Sequence, residues 1–166
     1  MEKRIVSNRA FWLMVGVIGG LCTAYFWPHE PAFAVATDRS NKFALCTAPA
    51  GSQMEAVFLL DFLTGNLQGH VLNIRNGQFT RSYFRNIAAD FELDPKTEPQ
   101  WAIVSGLGHL AASRGTSWAT SLVYVSELTS GKVVVYGFPY TETQQLQEPA
   151  TLEKINAFAW RESITP

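Results

Sequence analysis

Few side chains in this sequence have the types and spacing that catalysis requires. Beyond the N-terminal region the only histidines are His70 and His109, and neither has the His-x-x-x-His or paired-cysteine spacing of a metal site. Three serines follow His109 (Ser113, Ser117 and Ser121), but the sequence has no Gly-x-Ser-x-Gly turn for a hydrolase nucleophile. We therefore predict no catalytic residue, no metal ligand and no cofactor, and treat an enzyme as the less favoured class.

Two carboxylates, Asp61 and Glu127, could in principle form a general acid and base pair. Each follows an apolar run, and each is followed four residues later by a glycine, Gly65 or Gly131. An acidic side chain at such a place accepts hydrogen bonds from the N–H groups of a turn, and glycine supplies the positive φ that a turn needs. We interpret these four residues as structural turn residues.

A third group that could bind a partner is the alternating segment Gln78 to Ile87, which contains Arg81, Tyr83 and Arg85. Two cations flanking an aromatic ring are typical of a surface that contacts an acidic or glycan partner. The same alternation is expected of any strand with one solvated face. The segment is therefore a candidate partner patch, and the alternative is that these residues form the solvated face of an ordinary strand.

Charge and cysteine content exclude two further classes. Residues 28 to 166 hold 10 of the 13 basic and 13 of the 14 acidic residues, without a basic cluster. Nucleic-acid binding rests on clustered Lys and Arg, so we exclude it. The domain contains one cysteine, Cys46, so it cannot form an internal disulfide, and we interpret this thiol as a small buried apolar side chain.

These residues must be positioned by a chain that begins with a different kind of segment. Three basic residues precede Ala10 to Trp27, an uncharged run of 18 residues that would reach about 27 Å as a helix. This predicts a transmembrane signal anchor in residues 1–27, with residues 10–27 in the membrane, the N-terminus in the cytoplasm and the rest outside it. Cleavage after Ala34 or Ala36, each in a small-x-small pattern, would instead release a secreted protein.

A linker at residues 28–41 then leads into a domain at 42–166 that contains an internal repeat. Residues 56–67 align with residues 122–133, and each copy reads as an apolar strand, an acidic turn ending in glycine, and a second strand. This pattern predicts two β-hairpins. A further strand precedes each hairpin, at 42–47 and 101–106.

A fourth strand is predicted after each hairpin, at 78–87 and within 152–161, although a short helix remains open for the latter. The repeat units therefore cover about 42–87 and 101–161, joined by a helical turn and linker at 88–100. The fold class is mainly β, with two antiparallel units of three to four strands. The connection at 107–121 is long enough for a mobile or binding loop.

The strand-Asp-x-x-Thr-Gly-strand pattern at Asp61 to Gly65, with a looser copy at Glu127 to Gly131, resembles the blade hairpin of quinoprotein-like β-propellers. The resemblance covers about a dozen residues per copy. Such blades carry a tryptophan a few residues after the glycine, which this chain lacks, so we predict no quinone cofactor.

The order of anchor, hairpin and second hairpin also resembles a family of small uncharacterised membrane-anchored proteins of planctomycete-type bacteria. That resemblance runs over most of the chain and implies the layout without an activity.

Two blades cannot close a ring, because propellers use about 4 to 8. Either the two sheets pack as a sandwich, or three or four chains assemble through their blades. The sequence favours a membrane-anchored, extracytoplasmic β module that binds a protein partner or its own copies without catalysis. The alternative is a small-ligand or quinone-type binding subunit of a periplasmic complex.

Overall fold

The computed structural model describes residues 3–26, 37–51, 54–93, 98–112, 115–143 and 145–161. The predicted cleavage sites and most of the predicted linker lie outside these residues, as does Ser113. The chain divides into two units, Met1–Phe33 and Ala34–Pro166.

The N-terminal unit contains one helix, α1, at Lys3–Phe26. Its apolar side chains are exposed: Phe11, Trp12 and Leu13 retain 61%, 69% and 70% of their accessible surface. Within the described residues, no helix combines the length and the apolar character that crossing a membrane requires. The predicted membrane-spanning helix is therefore not confirmed.

The second unit is mainly β, as predicted, and forms two sheets. Sheet I has six strands in the order β1-β2-β3-β4-β5-β9. In chain order these are β1 (Thr37–Arg39), β2 (Phe43–Pro49), β3 (Glu55–Asp61), β4 (Asn66–Asn73), β5 (Gln78–Asn86) and β9 (Ala150–Thr151). All neighbours are antiparallel except β9, which runs parallel to β5.

Sheet II has four antiparallel strands in the order β10-β8-β7-β6. These are β6 (Trp101–Leu107), β7 (Ser121–Glu127), β8 (Lys132–Gly137) and β10 (Glu153–Ala159). The segment for which a short helix remained open is thus the strand β10. A single helical turn, α2 (Ala88–Phe91), follows β5.

The two hairpins of the repeat share one geometry. Phe43 pairs with Asp61 in sheet I, and Trp101 pairs with Glu127 in sheet II. Residue Gly65 closes the first turn with φ of 66°, and Gly131 closes the second with φ of 73°. A side chain at such φ values would be strained, which explains glycine at both places.

The sheets face each other across one apolar core. The ring of Phe58 in sheet I lies 5.0 Å from the ring of Phe138, which follows β8, and the Tyr83 ring lies 5.3 Å from the same Phe138 ring. The hydroxyl of Tyr83 donates a hydrogen bond of 2.7 Å to the carbonyl of Pro139. Strand β2 lies against β6, where the Ser105 hydroxyl donates to the carbonyl of Thr47. The two sheets therefore share one core within one chain.

Two short strands, β1 and β9, extend sheet I beyond the repeat. Strand β9 is reached by the chain after Phe138, which returns to sheet I before Leu152 turns it back into sheet II. Because short edge strands leave few unpaired backbone groups, β1 and β9 blunt both edges of sheet I.

Candidate functional site

The acidic side chain of the first turn, Asp61, is partly exposed and bound to its own turn. Its carboxylate accepts hydrogen bonds from the Leu63 N–H at 2.9 Å and from the Thr64 hydroxyl at 2.9 Å. These two hydrogen bonds lower the pKa of Asp61. An ionised acceptor held in this way has no proton to donate near neutral pH.

Its counterpart Glu127 is fully buried and has more partners. It accepts from the N–H groups of Gln100 at 3.0 Å, Thr129 at 2.9 Å and Ser130 at 2.6 Å. Burial raises the pKa of Glu127, but hydrogen bonds from Ser130, Thr129 and Gln100 outweigh it and bring the pKa to about 2. Glu127 therefore carries a buried, fully hydrogen-bonded charge, and its place in the separate sheet II keeps it from pairing with Asp61.

The candidate partner patch turns inward. Tyr83 retains 1% of its surface, and Arg81 hydrogen-bonds to Gln147 on the chain that returns to sheet I. Arg85 forms an ion pair with Asp90 of α2. Each of the three predicted patch residues therefore interacts with other residues of the same chain. They do not form an exposed patch, because the face of β5 that carries them covers the core.

Arg85 is the centre of a polar cluster between the sheets. Its guanidinium binds Asp90 through two bonds of 2.7 and 2.9 Å, and donates to the Leu152 carbonyl at 2.9 Å. The Tyr136 hydroxyl of sheet II donates to the same Asp90 carboxylate at 3.0 Å, and Lys154 lies 4.0 Å from it.

The charges in this cluster are mutually satisfied. Burial raises the pKa of Asp90, but hydrogen bonds from Arg85 and Tyr136 and the charges of Arg85 and Lys154 outweigh it and lower the net pKa. Each charged group of this cluster thus has a protein partner, as expected of a partly buried structural ion pair. The cluster joins the two sheets and leaves no group free for a substrate.

The histidines and serines do not come together. His70 of β4 lies 3.3 Å from the Ser82 hydroxyl and edge-on to Phe79, on the side of sheet I away from the core. His109 is exposed in the loop after β6, and Ser121 is buried with its hydroxyl donating to the Pro49 carbonyl. Among the described residues no cluster of His, Cys, Asp or Glu could hold a metal ion.

An open cleft of about 510 Å³ lies beside the first turn. Its lining includes Lys42, Asp61, Phe62 and Glu98. The guanidinium of Arg39 lies 5.6 Å from the centre of the Phe62 ring at its edge. The cleft is lined by residues of opposite charge around the Phe62 ring. Their polar groups are not directed at one common point where a ligand atom could bind.

Exposed apolar side chains of the second unit lie on the sides of the two sheets that face away from the core. Outer face I is the outward side of sheet I, where side chains of β2 to β5 alternate with the buried ones. Its apolar members are Phe43, Leu45, Val57, Leu59, Leu72, Phe79 and Phe84, and its polar members include Thr47, Glu55, Gln68, His70 and Ser82. Of these, Phe84 retains 49% of its surface and Phe43 retains 43%.

Outer face II is the corresponding side of sheet II. Its apolar members are Ala102, Val104, Leu122, Tyr124, Val135 and Phe158. Val104 retains 50% of its surface and Phe158 retains 58%. At one end Leu110 and Trp118 fold over Gly137 and cover the margin of this face.

These faces are a signal that motif-based sequence reasoning missed. The run Leu122 to Val125 is apolar at every position, although a strand with one solvated face alternates apolar and polar side chains. Such a run is typical of a strand covered on both faces.

No family model, curated protein or solved structure gives a significant match to this chain.

Proposed function

We propose that this protein is a non-catalytic β module that binds protein through the outer faces of its two sheets. The observation that carries the proposal is the set of exposed apolar side chains on the two outer faces, in a domain where Glu127 and the Arg85–Asp90 cluster are internally satisfied. Large exposed apolar patches on soluble domains mark interaction surfaces. The absence of a converging polar site on the described residues leaves these faces as the strongest candidates.

The size of the faces fits this role. Four strands about 4.8 Å apart and seven residues long at about 3.3 Å each give a flat area of roughly 440 Å² per face. A standard interface buries about 800 Å² of accessible surface on each partner. Covering one face gives a small interface, and covering both brings the buried area of one chain into the standard range.

The test of this function is site-specific photo-crosslinking in the cells that produce the protein. A photoreactive amino acid at position 59, on outer face I, should give protein adducts. The same amino acid at position 63 is the control, because Leu63 is 92% exposed in a turn and lies on neither face. Equal crosslinking at both positions, or none at either outer face, would contradict the proposal.

We also propose that the module is held at a membrane by its N-terminal helix, with the β domain on the extracytoplasmic side. The support is the uncharged run Ala10 to Trp27 after three basic residues, and the exposure of Phe11, Trp12 and Leu13 in α1. Apolar side chains on a helix need an apolar surrounding.

Alkaline extraction of membranes tests this location. The full chain should stay with the membrane pellet, and a variant with Val15→Arg and Ile18→Arg should move to the supernatant. A full chain that is extracted from the pellet as readily as this variant would overturn the anchored location.

A small-ligand or quinone-type binding subunit is a second candidate function. The cleft of about 510 Å³ beside Phe62 favours it, because this volume lies within the range of about 300 to 1,000 Å³ for ligand sites. A purified chain that shows a cofactor absorption spectrum, lost in Phe62→Ala, would support this candidate. A colourless chain whose melting is unchanged by a quinone would remove it.

A further inference from the structure

The two sheets can be aligned residue by residue from their strand registers. Asp61 pairs with Phe43 on one side and Asn66 on the other, and Glu127 pairs with Trp101 and Lys132 in the same way. Each position in β2, β3 and β4 therefore has an equivalent in β6, β7 and β8. This alignment shows which face of one copy meets which face of the other.

The faces that meet inside the chain are not equivalent. Ala44 and Cys46 of β2 point into the core, whereas their equivalents Ala102 and Val104 of β6 point outward. The reverse holds for the next positions along the strands. Trp101 and Ile103 of β6 point into the core, and their equivalents Phe43 and Leu45 of β2 point outward.

The two sheets are thus packed back to front. A duplicated sheet related by a two-fold axis would bury the same face of both copies. Here one face of sheet I packs on the opposite face of sheet II, which is a heterologous contact. This contact leaves the opposite side of each sheet exposed. By the alignment of the two copies, outer face II is equivalent to the buried side of sheet I. Outer face I is equivalent to the buried side of sheet II.

Three equivalent pairs on each open face match in character, whereas Gln68, His70 and Ser126 are polar where their equivalents Val134, Tyr136 and Leu60 are buried core residues. On outer face I and its buried counterpart the equivalent pairs are Phe43 and Trp101, Leu45 and Ile103, and Leu59 and Val125. On outer face II and its counterpart they are Ala102 and Ala44, Val104 and Cys46, and Tyr124 and Phe58. At the matching positions the open faces therefore carry side chains like those of the interface that the chain already forms once.

We propose that outer face II of one copy binds outer face I of a second copy, head to tail, in the same geometry as the sheets within one chain. This inference rests on the proposed function and names the partner. A heterologous contact forms a closed ring when its rotation permits. Sheets stacked in this way form rings of about 4 to 8 blades, which two to four chains supply.

The internal interface also indicates which contacts the new one would make. Within the chain the Ser105 hydroxyl donates to the Thr47 carbonyl. The equivalent contact joins the Thr47 hydroxyl of one copy to the Ser105 carbonyl of the next. The Phe58 and Phe138 rings, 5.0 Å apart within the chain, correspond to Tyr124 of one copy against Leu72 of the next.

The experiment measures the mass of the full chain in a mild detergent by light scattering on a sizing column, with the detergent contribution subtracted. We expect wild-type chains at a discrete multiple of the 18.4 kDa monomer. Leu59→Arg blocks outer face I, and Val104→Arg blocks outer face II. Both positions are exposed in the single chain, so circular dichroism and melting should show folded variants, and Leu63→Arg in the turn is the matched control.

Mixing the variants separates a head-to-tail contact from every symmetric one. Each single variant lacks one half of the contact and should be monomeric, but an equal mixture should form a dimer through its one intact pair of faces. A contact of outer face I with itself would instead leave Val104→Arg dimeric. That outcome, or a mixture that stays monomeric, would overturn the proposal.

A monomeric wild-type chain would also overturn the proposal, but not the proposed function. Photo-crosslinks from position 59 to a different protein would then show that the face binds another partner. With neither self-association nor crosslinks, the proposed function itself would be wrong.

Discussion

Replacing Glu127 by Gln should destabilise the β domain more than replacing Asp61, its equivalent in the first turn, by Asn. The buried carboxylate accepts three backbone N–H groups, from Gln100, Thr129 and Ser130. A glutamine keeps one acceptor oxygen and places an NH₂ group where the second oxygen accepts a hydrogen bond. Hydrogen bonds to charged groups contribute about 1.5 to 3 kcal/mol each, so the loss of one with a donor clash costs on the order of 3 kcal/mol.

The lowered pKa of Glu127 leads to a similar value for the free energy by which its charged form stabilises the fold. Its pKa falls from 4.5 to about 2 on folding, and a shift of about 2.5 units corresponds to roughly 3.4 kcal/mol. Because the folded pKa is the lower one, this stabilisation is complete above pH 4.5 and is lost as the pH falls toward 2. At pH 3 about 1.4 kcal/mol should remain.

Thermal melting at fixed protein concentration measures both effects. Near neutral pH, Glu127→Gln should lower the melting temperature by roughly 10 °C. The gap between wild type and variant should narrow by more than half between pH 6 and pH 3. Asp61→Asn is the matched control, since it changes the equivalent but water-accessible acid of the first turn and should lower the melting temperature clearly less. An equal loss for Asp61→Asn, or a gap that does not change with pH, would refute this reasoning.

Three further results are expected. Arg85→Ala leaves the partly buried Asp90 carboxylate without its bidentate partner and should cost about 1.5 to 3 kcal/mol by denaturant unfolding; a cost below about 0.5 kcal/mol would show that water replaces the guanidinium. Gly69→Ala places a Cβ against Cε1 of the Phe58 ring and 2.6 Å from its Cδ1, and should destabilise the domain by about 1 to 3 kcal/mol in the same assay; unchanged stability would show that the ring shifts to make room. Burial raises the pKa of the Cys46 thiol to about 12, so a thiol reagent should label Cys46 only after unfolding, and rapid labelling of the native protein would contradict its placement.

The hairpins could be predicted from sequence because their signals are local. An acid, a short turn and a glycine specify each turn at Asp61 to Gly65 and Glu127 to Gly131 without reference to the rest of the chain. The short strands β1 and β9 could not be predicted, because two or three residues carry no period. Their pairing depends on partners distant in the sequence.

It was harder to predict which face of a strand points into the core. Alternation predicts that Arg81, Tyr83 and Arg85 share one face of β5, and they do. It does not tell which face lies inward, and the three residues of the predicted partner patch lie on the face that covers the core. The carboxylate of Asp90, which lies on α2 after the strand ends, supplies the charge that lets Arg85 lie between the sheets.

The repeat itself carries information that neither copy carries alone. Asp61 and Glu127 occupy equivalent turns, yet one is partly exposed and the other is buried, because only the second copy has its turn face packed against another part of the chain. Phe43 and Trp101 differ in the same way, because Phe43 is exposed and Trp101 is buried. If a second copy covers outer face I as sheet I covers sheet II, the environments of these equivalent residues converge. Assembly should therefore lower the solvent accessibility of Phe43 toward that of Trp101, and the back-to-front packing of one chain then continues from copy to copy.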